Sequence, residues 1–303
     1  MSDGTEAPLR LQPGDRVAAK WSGRTFLIDR RLGEGANGSV YLVREPGGAS
    51  EAAMKLGNDA YALQSEINAL RAVGGEAPKL LLADDGTCRG REFPFYVMAF
   101  VPGSTLSASS PVGGADRVAA VGAKLLVQLQ ALHAAGWAFG DLKPDNVMID
   151  RAGEPRLVDY GGATRFGQGV KQFTELYDRG FWRLGGRQAE PAYDLFAFAV
   201  SMLEAAGLGR RVRATANSPR RDKGKQLLAL PDEAALPPAM KRELRRLLRG
   251  EHRDCRRAAE AWNAAAAKRA PRPAPAAGEL WPAAWFAGAF AAFVGVVWWM
   301  SGS

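Results

Sequence analysis

In the first third of the chain, short apolar runs alternate with turn residues. Thr25-Phe26-Leu27-Ile28 is β-branched and aromatic and predicts a first strand, after a lead-in through Leu11-Gln12-Pro13-Gly14. Val40-Tyr41-Leu42-Val43 predicts a second, and Ala52-Ala53-Met54-Lys55-Leu56 a third, with turn chemistry at Pro46-Gly47-Gly48 between them. The spacing then lengthens: Leu63, Ile67 and Leu70 lie on one helical face within 60–73, and Gly74-Gly75 stops the pattern. Phe93 to Val101 is apolar enough for buried strand and ends at Pro102-Gly103. A long Ala/Leu/Val helix is expected over 115–135, another over about 193–206, and two basic helical segments after that. The order is strands with one helix, then mostly helices, an α+β arrangement with no internal repeat.

Composition narrows the function classes. Hydrophobic residues make up 47% of 303, enough for a large core. The cysteines, Cys88 and Cys255, form neither a disulfide framework nor a metal spacing, which points to a reducing cytosol. His133 and His252 stand apart in the sequence and predict surface or helix-lining roles rather than a zinc site or a Ser-His-Asp triad. Met1 to Pro13 is polar and lacks the apolar stretch of a signal peptide. Residues 1–9 read as a disordered start.

Three motifs carry the chemistry. Gly33-Glu34-Gly35-Ala36-Asn37-Gly38-Ser39-Val40 is followed by another strand, Ala53-Met54-Lys55, whereas a dinucleotide-binding fingerprint would open a helix. Asp141-Leu142-Lys143-Pro144-Asp145-Asn146 and Asp159-Tyr160-Gly161 follow in that order. Together they resemble the signature elements of the bacterial eukaryotic-type (Hanks-type) Ser/Thr protein kinases, over residues 10–262. The resemblance implies a bilobal fold, a small β-rich lobe and a larger α-helical lobe joined near Pro102-Gly103, binding ATP and Mg²⁺ and acting on protein substrates.

It also implies residue roles. Gly33, Gly35 and Gly38 let the hairpin backbone approach phosphates. Lys55 grips the α/β-phosphates with Glu66 as its ion-pair partner, Glu51 being the alternative. Asp141 orients the substrate hydroxyl and accepts its proton, and Lys143 steadies the transferring phosphate. Asn146 and Asp159 are the metal ligands. Met98 guards the back of the adenine pocket, the backbone of Ala99 and Val101 meets the base edge, and Val40, Ala53 and Met148 sandwich the ring. Asp194 resembles the buried aspartate that braces the catalytic loop.

Several positions depart from the family. Phe139-Gly140 replaces His-Arg before Asp141, so the arginine that pairs with a phosphorylated activation loop is missing, and Thr174→Ala is expected to change activity little. Phe139 is expected to stack with Tyr160 and Leu70. Tyr177-Asp178-Arg179-Gly180-Phe181-Trp182 stands where Ala-Pro-Glu normally ends the segment, and the arginine partnering that glutamate is displaced too, which predicts unusual substrate docking between Thr174 and Trp182. Two rival functions share the fold: a small-molecule phosphotransferase of the aminoglycoside/choline type, because Phe139-Gly140-Asp141 is similar to His-Gly-Asp, and an inactive ATP-binding membrane scaffold.

The C-terminal third adds two features. Between Gly209 and Arg272 there are 18 Lys/Arg against 7 Asp/Glu. The basic region 210–257 predicts a solvated face first, with anionic lipid or nonspecific nucleic acid as alternative partners. Residues 263–279 read as an Ala/Pro-rich linker. The stretch 280–300 has no charge and carries tryptophans at both ends, which predicts a single transmembrane helix. Lys268, Arg269 and Arg272 precede it, so the catalytic domain is expected in the cytoplasm at the cell membrane, in a short form without an extracellular sensor. Ala284, Gly288 and Ala292 hint at homodimer pairing.

Overall fold

The computed structural model describes residues 9–35, 38–219 and 221–268. Arg220, the greater part of the expected linker and the whole 280–300 span lie outside the described residues.

The small lobe contains β1 (Arg16–Ala19), β2 (Thr25–Gly35), β3 (Gly38–Arg44), β4 (Ala52–Gly57), α1 (Ala60–Val73), β5 (Leu80–Cys88) and β6 (Arg91–Ala99). Its strands are antiparallel and close into a barrel in the order β1-β2-β3-β4-β6-β5. Alternation sorts the side chains of β4. Ala52, Met54 and Leu56 fill the barrel with Val17, Phe26, Tyr41 and Phe95, while Ala53 joins the second core on the opposite face. Lys55 shares the parity of Ala53 and so faces α1 and the cleft. Asp59 caps α1 by accepting from Tyr61 N at 2.9 Å, and Leu63, Glu66, Ile67 and Leu70 share its buried face.

Two strands of the small lobe are absent from the sequence reading. β1 is four residues long with no strand signature of its own; its pairing with both β2 and β5 makes it a strand. β5 pairs with β6 through a two-residue turn, Arg89-Gly90, with φ of 53° and 76°. Arg-Gly is not the Asn-Gly signal that announces such a turn. Leu9, assigned to the start of the chain, packs on the barrel core.

The large lobe begins with β7 (Gly103–Thr105), α2 (Leu106–Ser109), α3 (Gly114–Ala134) and β8 (Trp137–Ala138). It continues through β9 (Val147–Asp150), β10 (Pro155–Leu157), β11 (Thr164–Arg165), α4 (Pro191–Leu203), α5 (Gly209–Ala216), α6 (Lys223–Ala229), α7 (Pro238–Leu248) and α8 (Cys255–Ala267). Residues 263–267, read as linker, are the last turns of α8. Trp262 in α8 is fully buried and donates to Ala119 O at 3.0 Å, lying where a Cβ on Gly122 of α3 would come within 2.5 Å of the ring. Among the described residues, Pro191–Ala216 is long and apolar enough to resemble a membrane span, but 83% of that window is buried as the central helix of this lobe.

Candidate active site

Between the lobes lies a cavity of about 380 Å³. Its apolar end is lined by Val40, Ala53, Met98, Met148 and Val158, and its polar end by Lys55, Asn146 and Asp159. Gly33, Ala99 and Val101 line it as well. Gly35, Gly38 and Glu66 are not among its lining residues. Leu32, Tyr96, Phe100 and Thr105 are, although nothing in their local sequence marks them. The N–H of Ala99 donates to Lys79 O at 2.8 Å, so any bond from Ala99 to a base comes from its carbonyl.

Gly38 is required by the hairpin itself. Its φ is 138°, and an added Cβ would lie 1.8 Å from Leu56 O. Nothing within 4 Å of Gly33 or Gly35 opposes a Cβ, so their lack of side chains matters only toward whatever enters the cleft.

Lys55 is 3% exposed, and its Nζ lies 2.8 Å from Glu66 Oε1 and 2.6 Å from Asp159 Oδ1. Burial pulls the ammonium pKa down, but the Glu66 and Asp159 carboxylates outweigh it and hold it above the ordinary lysine value. Asp159 is driven the other way: burial raises its pKa, yet Lys55 overrides this and the carboxyl sits below its usual range. Glu51 is exposed and plays no part in the pair. Tyr96, opposite Lys55 in the β4–β6 ladder, donates its hydroxyl to the same Glu66 Oε1 at 2.9 Å. Burial, then Glu66, pushes that phenol well above its ordinary pKa, so it remains a donor. The tyrosine completes the buried pair and was not legible from sequence.

Asp141 is 4% exposed and lies where β8 leads into the 144–146 turn. Lys143 Nζ donates to Asp141 Oδ2 at 2.6 Å, and the Thr174 hydroxyl donates to Asp141 Oδ1 at 2.9 Å. Lys143 also reaches Thr174 Oγ1 at 3.1 Å, closing a three-membered ring of contacts. Thr174 thus touches both Asp141 and Lys143, a contact that the sequence reading did not foresee. Asn146 donates from Nδ2 to Asp141 O at 2.8 Å, so its amide oxygen is the end that could accept a hydrogen bond or ligate a cation.

Asp194 braces the loop as expected, accepting from Phe139 N at 2.7 Å and Gly140 N at 2.9 Å. His133 Nε2 lies 2.8 Å from the same carboxylate, so this histidine supports the loop. His252 is equally unlike a surface residue, at 6% exposed and 2.6 Å from Glu243. Gly140 has φ 82°, and a Cβ there would lie 2.2 Å from Gly162 O, so the backbone itself rejects an arginine. Phe139 and Tyr160 pack edge to face at 5.2 Å, and Leu70 is buried in the same core.

Among the described residues, no three His, Cys, Asp or Glu side chains gather as a metal cage. Asn146 and Asp159 line one cavity with hard oxygens, a sparse set that suits Mg²⁺ completed by phosphate oxygens and water.

The protein kinase domain profile matches residues 26–217. The serine/threonine-protein kinase YabT of Bacillus subtilis is 37% identical over 209 residues, covering 66% of this chain and 61% of the relative. The probable serine/threonine-protein kinase PkwA of Thermomonospora curvata is 29% identical over 217 residues, 65% of this chain and 27% of that protein. The chain thus spans less than two thirds of the length of either. The solved structure of vaccinia related kinase 3 superposes with a TM-score of 0.62 over 85% of this chain and 91% of that one, at 16% identity, a likeness of fold.

Proposed function

This chain belongs to the protein kinase family, with bacterial Ser/Thr kinases among its relatives, and we propose that it transfers the γ-phosphoryl group of ATP to Ser/Thr hydroxyls of protein substrates, its own included. The observation that carries this reading is the ring of Asp141, Lys143 and Thr174, bonded through Asp141 to Asn146, which lines the polar end of the cavity with Lys55 and Asp159. Lys55, held as an ammonium, binds and orients the phosphates. Asp141 Oδ1 accepts a hydrogen bond from a hydroxyl already, and a substrate hydroxyl brought there would lose its proton to that carboxylate. Lys143 places a second cation where charge spreads in the transition state. Asn146 and Asp159 would hold Mg²⁺, which would supply charge neutralisation at the phosphate oxygens.

This set favours an active enzyme over a nucleotide-binding scaffold. The protein-kinase profile and the Ser/Thr kinase relatives favour a protein substrate over a small alcohol. The test is radiolabel transfer by the full-length chain to itself and to a generic basic protein, beside Asp141→Asn. Transfer lost in Asp141→Asn, with ATP binding kept, is expected; undiminished labelling refutes the mechanism.

From the uncharged stretch 280–300 we propose a single-pass membrane kinase with its catalytic domain cytoplasmic, and from the four-residue spacing of Ala284, Gly288 and Ala292 self-pairing through that stretch. Full-length protein should sediment with membranes and be released by truncation after Gly278; recovery without detergent in the soluble fraction refutes the anchor. The basic region 210–257 is best read as a solvated face. Arg211 pairs with Glu233, Arg213 with Glu204, Arg245 with Asp232, and Arg246 with Glu243 and Glu251, so these four arginines are already engaged within the chain.

A further inference from the structure

The segment from Thr174 to Glu190 carries a buried polar hub in place of the missing Ala-Pro-Glu element. At its centre Asp178 is 0% exposed. Its Oδ1 accepts from Gly180 N at 3.0 Å and from the Tyr193 hydroxyl at 3.2 Å. Its Oδ2 accepts from Phe181 N at 3.0 Å and Arg187 Nε at 2.7 Å, with Arg187 Nη2 at 2.6 Å. A buried carboxylate needs such a set of donors to be tolerated at all. Burial, then the neighbouring Asp178, pushes the Tyr193 phenol pKa upward, so it stays a donor.

The donors come from different places, and that gives the hub its mechanical meaning. Tyr193 lies in the first turn of α4, so the carboxylate ties the segment to the central helix of the large lobe. Arg187 lies on the returning arm of the segment, and its guanidinium stacks over Phe173, next to Thr174, at 4.2 Å. The neck of the segment is closed by backbone bonds: Gly167 N to Ala189 O at 3.0 Å, Ala189 N to Gln168 O at 2.8 Å, and Val170 N to Arg187 O at 2.9 Å. Alongside, Arg179 bonds Gly186 O at 2.6 Å and pairs with Glu190, the residue before α4. Every one of these ties is made by the chain's own side chains and backbone.

Asp178 is four residues from Thr174, whose hydroxyl touches Asp141. The chain leaving Thr174 is therefore the wall beside which a phosphoacceptor hydroxyl must lie. We propose that Asp178 is the positioning residue for the polypeptide substrate, holding this wall in its docking shape through Arg187 and Tyr193 without any phosphorylation of the segment. The proposal rests on the phosphotransfer reading above and adds how its substrate is placed. It also gives Gly140 a context: the position at which the family signature has a phosphate-reading arginine has no side chain here, and the segment is tied from within.

The test uses the full-length protein stripped of phosphate by a phosphatase, as wild type, Asp178→Asn, Arg187→Met and Arg187→Lys. Two quantities are read: hydrogen exchange of residues 170–187, and steady-state transfer to a Ser/Thr peptide with separate KM values for peptide and ATP. Slow exchange is expected in stripped wild type and fast exchange in Asp178→Asn and Arg187→Met. Peptide KM should rise about tenfold or more in these two variants while ATP KM stays within about twofold, with partial recovery in Arg187→Lys. Arg187 is half exposed, so its variants decide the matter if Asp178→Asn does not fold. A segment that exchanges as freely in stripped wild type as in Arg187→Met overturns the proposal, as does an equal change in both KM values. A wild type that transfers no phosphate refutes the kinase reading, and the exchange data then still decide the role of Asp178.

Discussion

Thr174 offers a sharp test of the catalytic geometry. Its hydroxyl donates to Asp141 Oδ1 at 2.9 Å and accepts from Lys143 Nζ at 3.1 Å, so one small group bonds both the proposed base and the proposed phosphate-steadying cation, which also meet directly at 2.6 Å. Thr174→Ala removes both bonds. A hydrogen bond with one ionised partner contributes about 1.5–3 kcal/mol. At ~1.4 kcal/mol per tenfold in rate, losing even one is expected to lower kcat/KM roughly 10–100-fold. The two bonds share one oxygen and act as a unit, so their losses do not simply add. Thr174→Ser keeps the hydroxyl and should stay within about threefold of wild type. Thr174→Glu separates this role from that of a phosphorylation site. A phosphosite tolerates the acidic mimic, whereas here a carboxylate would be forced against Asp141 and transfer should be lost. The assay is initial-rate peptide phosphorylation at saturating ATP, with thermal melts to show that each variant folds. Thr174→Ala working within about twofold of wild type, or Thr174→Glu retaining activity, would refute the argument.

Two further outcomes follow from burial and backbone geometry. Lys55→Ala should abolish transfer and also destabilise the fold, because it strands Glu66, whose pKa burial already raises despite the opposing pull of Lys55. A carboxyl with a raised folded pKa contributes stability that is present at low pH and lost as pH rises through that pKa, so the Tm deficit of Lys55→Ala should narrow on acidification from neutral pH toward the carboxylate range; a deficit that widens contradicts this. Gly140→Arg should lower Tm rather than restore a lost contact, since φ is 82° and the added Cβ meets Gly162 O at 2.2 Å. Left-handed backbone alone costs a side-chain-bearing residue about 1–2 kcal/mol, and a variant as stable and active as wild type would show that the loop can accept an arginine.

Much of the site was legible in one dimension because its chemistry sits on short local stretches. The spacing of Asp141, Lys143 and Asn146 lies within one loop, and Lys55 with Glu66 needs only strand parity and helix periodicity, each fixed by backbone geometry over a few residues. The second set of partners obeys no such period. Tyr96 reaches Glu66 because β4 and β6 pair in a particular register, and β1 is a strand only because β2 and β5 flank it. His133 finds Asp194 across 61 residues, and Thr174 finds Asp141 across 33. The stretch holding Asp178 stood out in sequence as a departure from Ala-Pro-Glu, but its ties to Arg187 and Tyr193 exist only once the segment folds back on itself and buries the carboxylate. The sequence by itself determined which groups could do the chemistry, since type and local spacing suffice for that. Only the tertiary structure decided which groups hold them in place, because those bonds join residues whose proximity depends on closing long loops, and no local pattern encodes that closure.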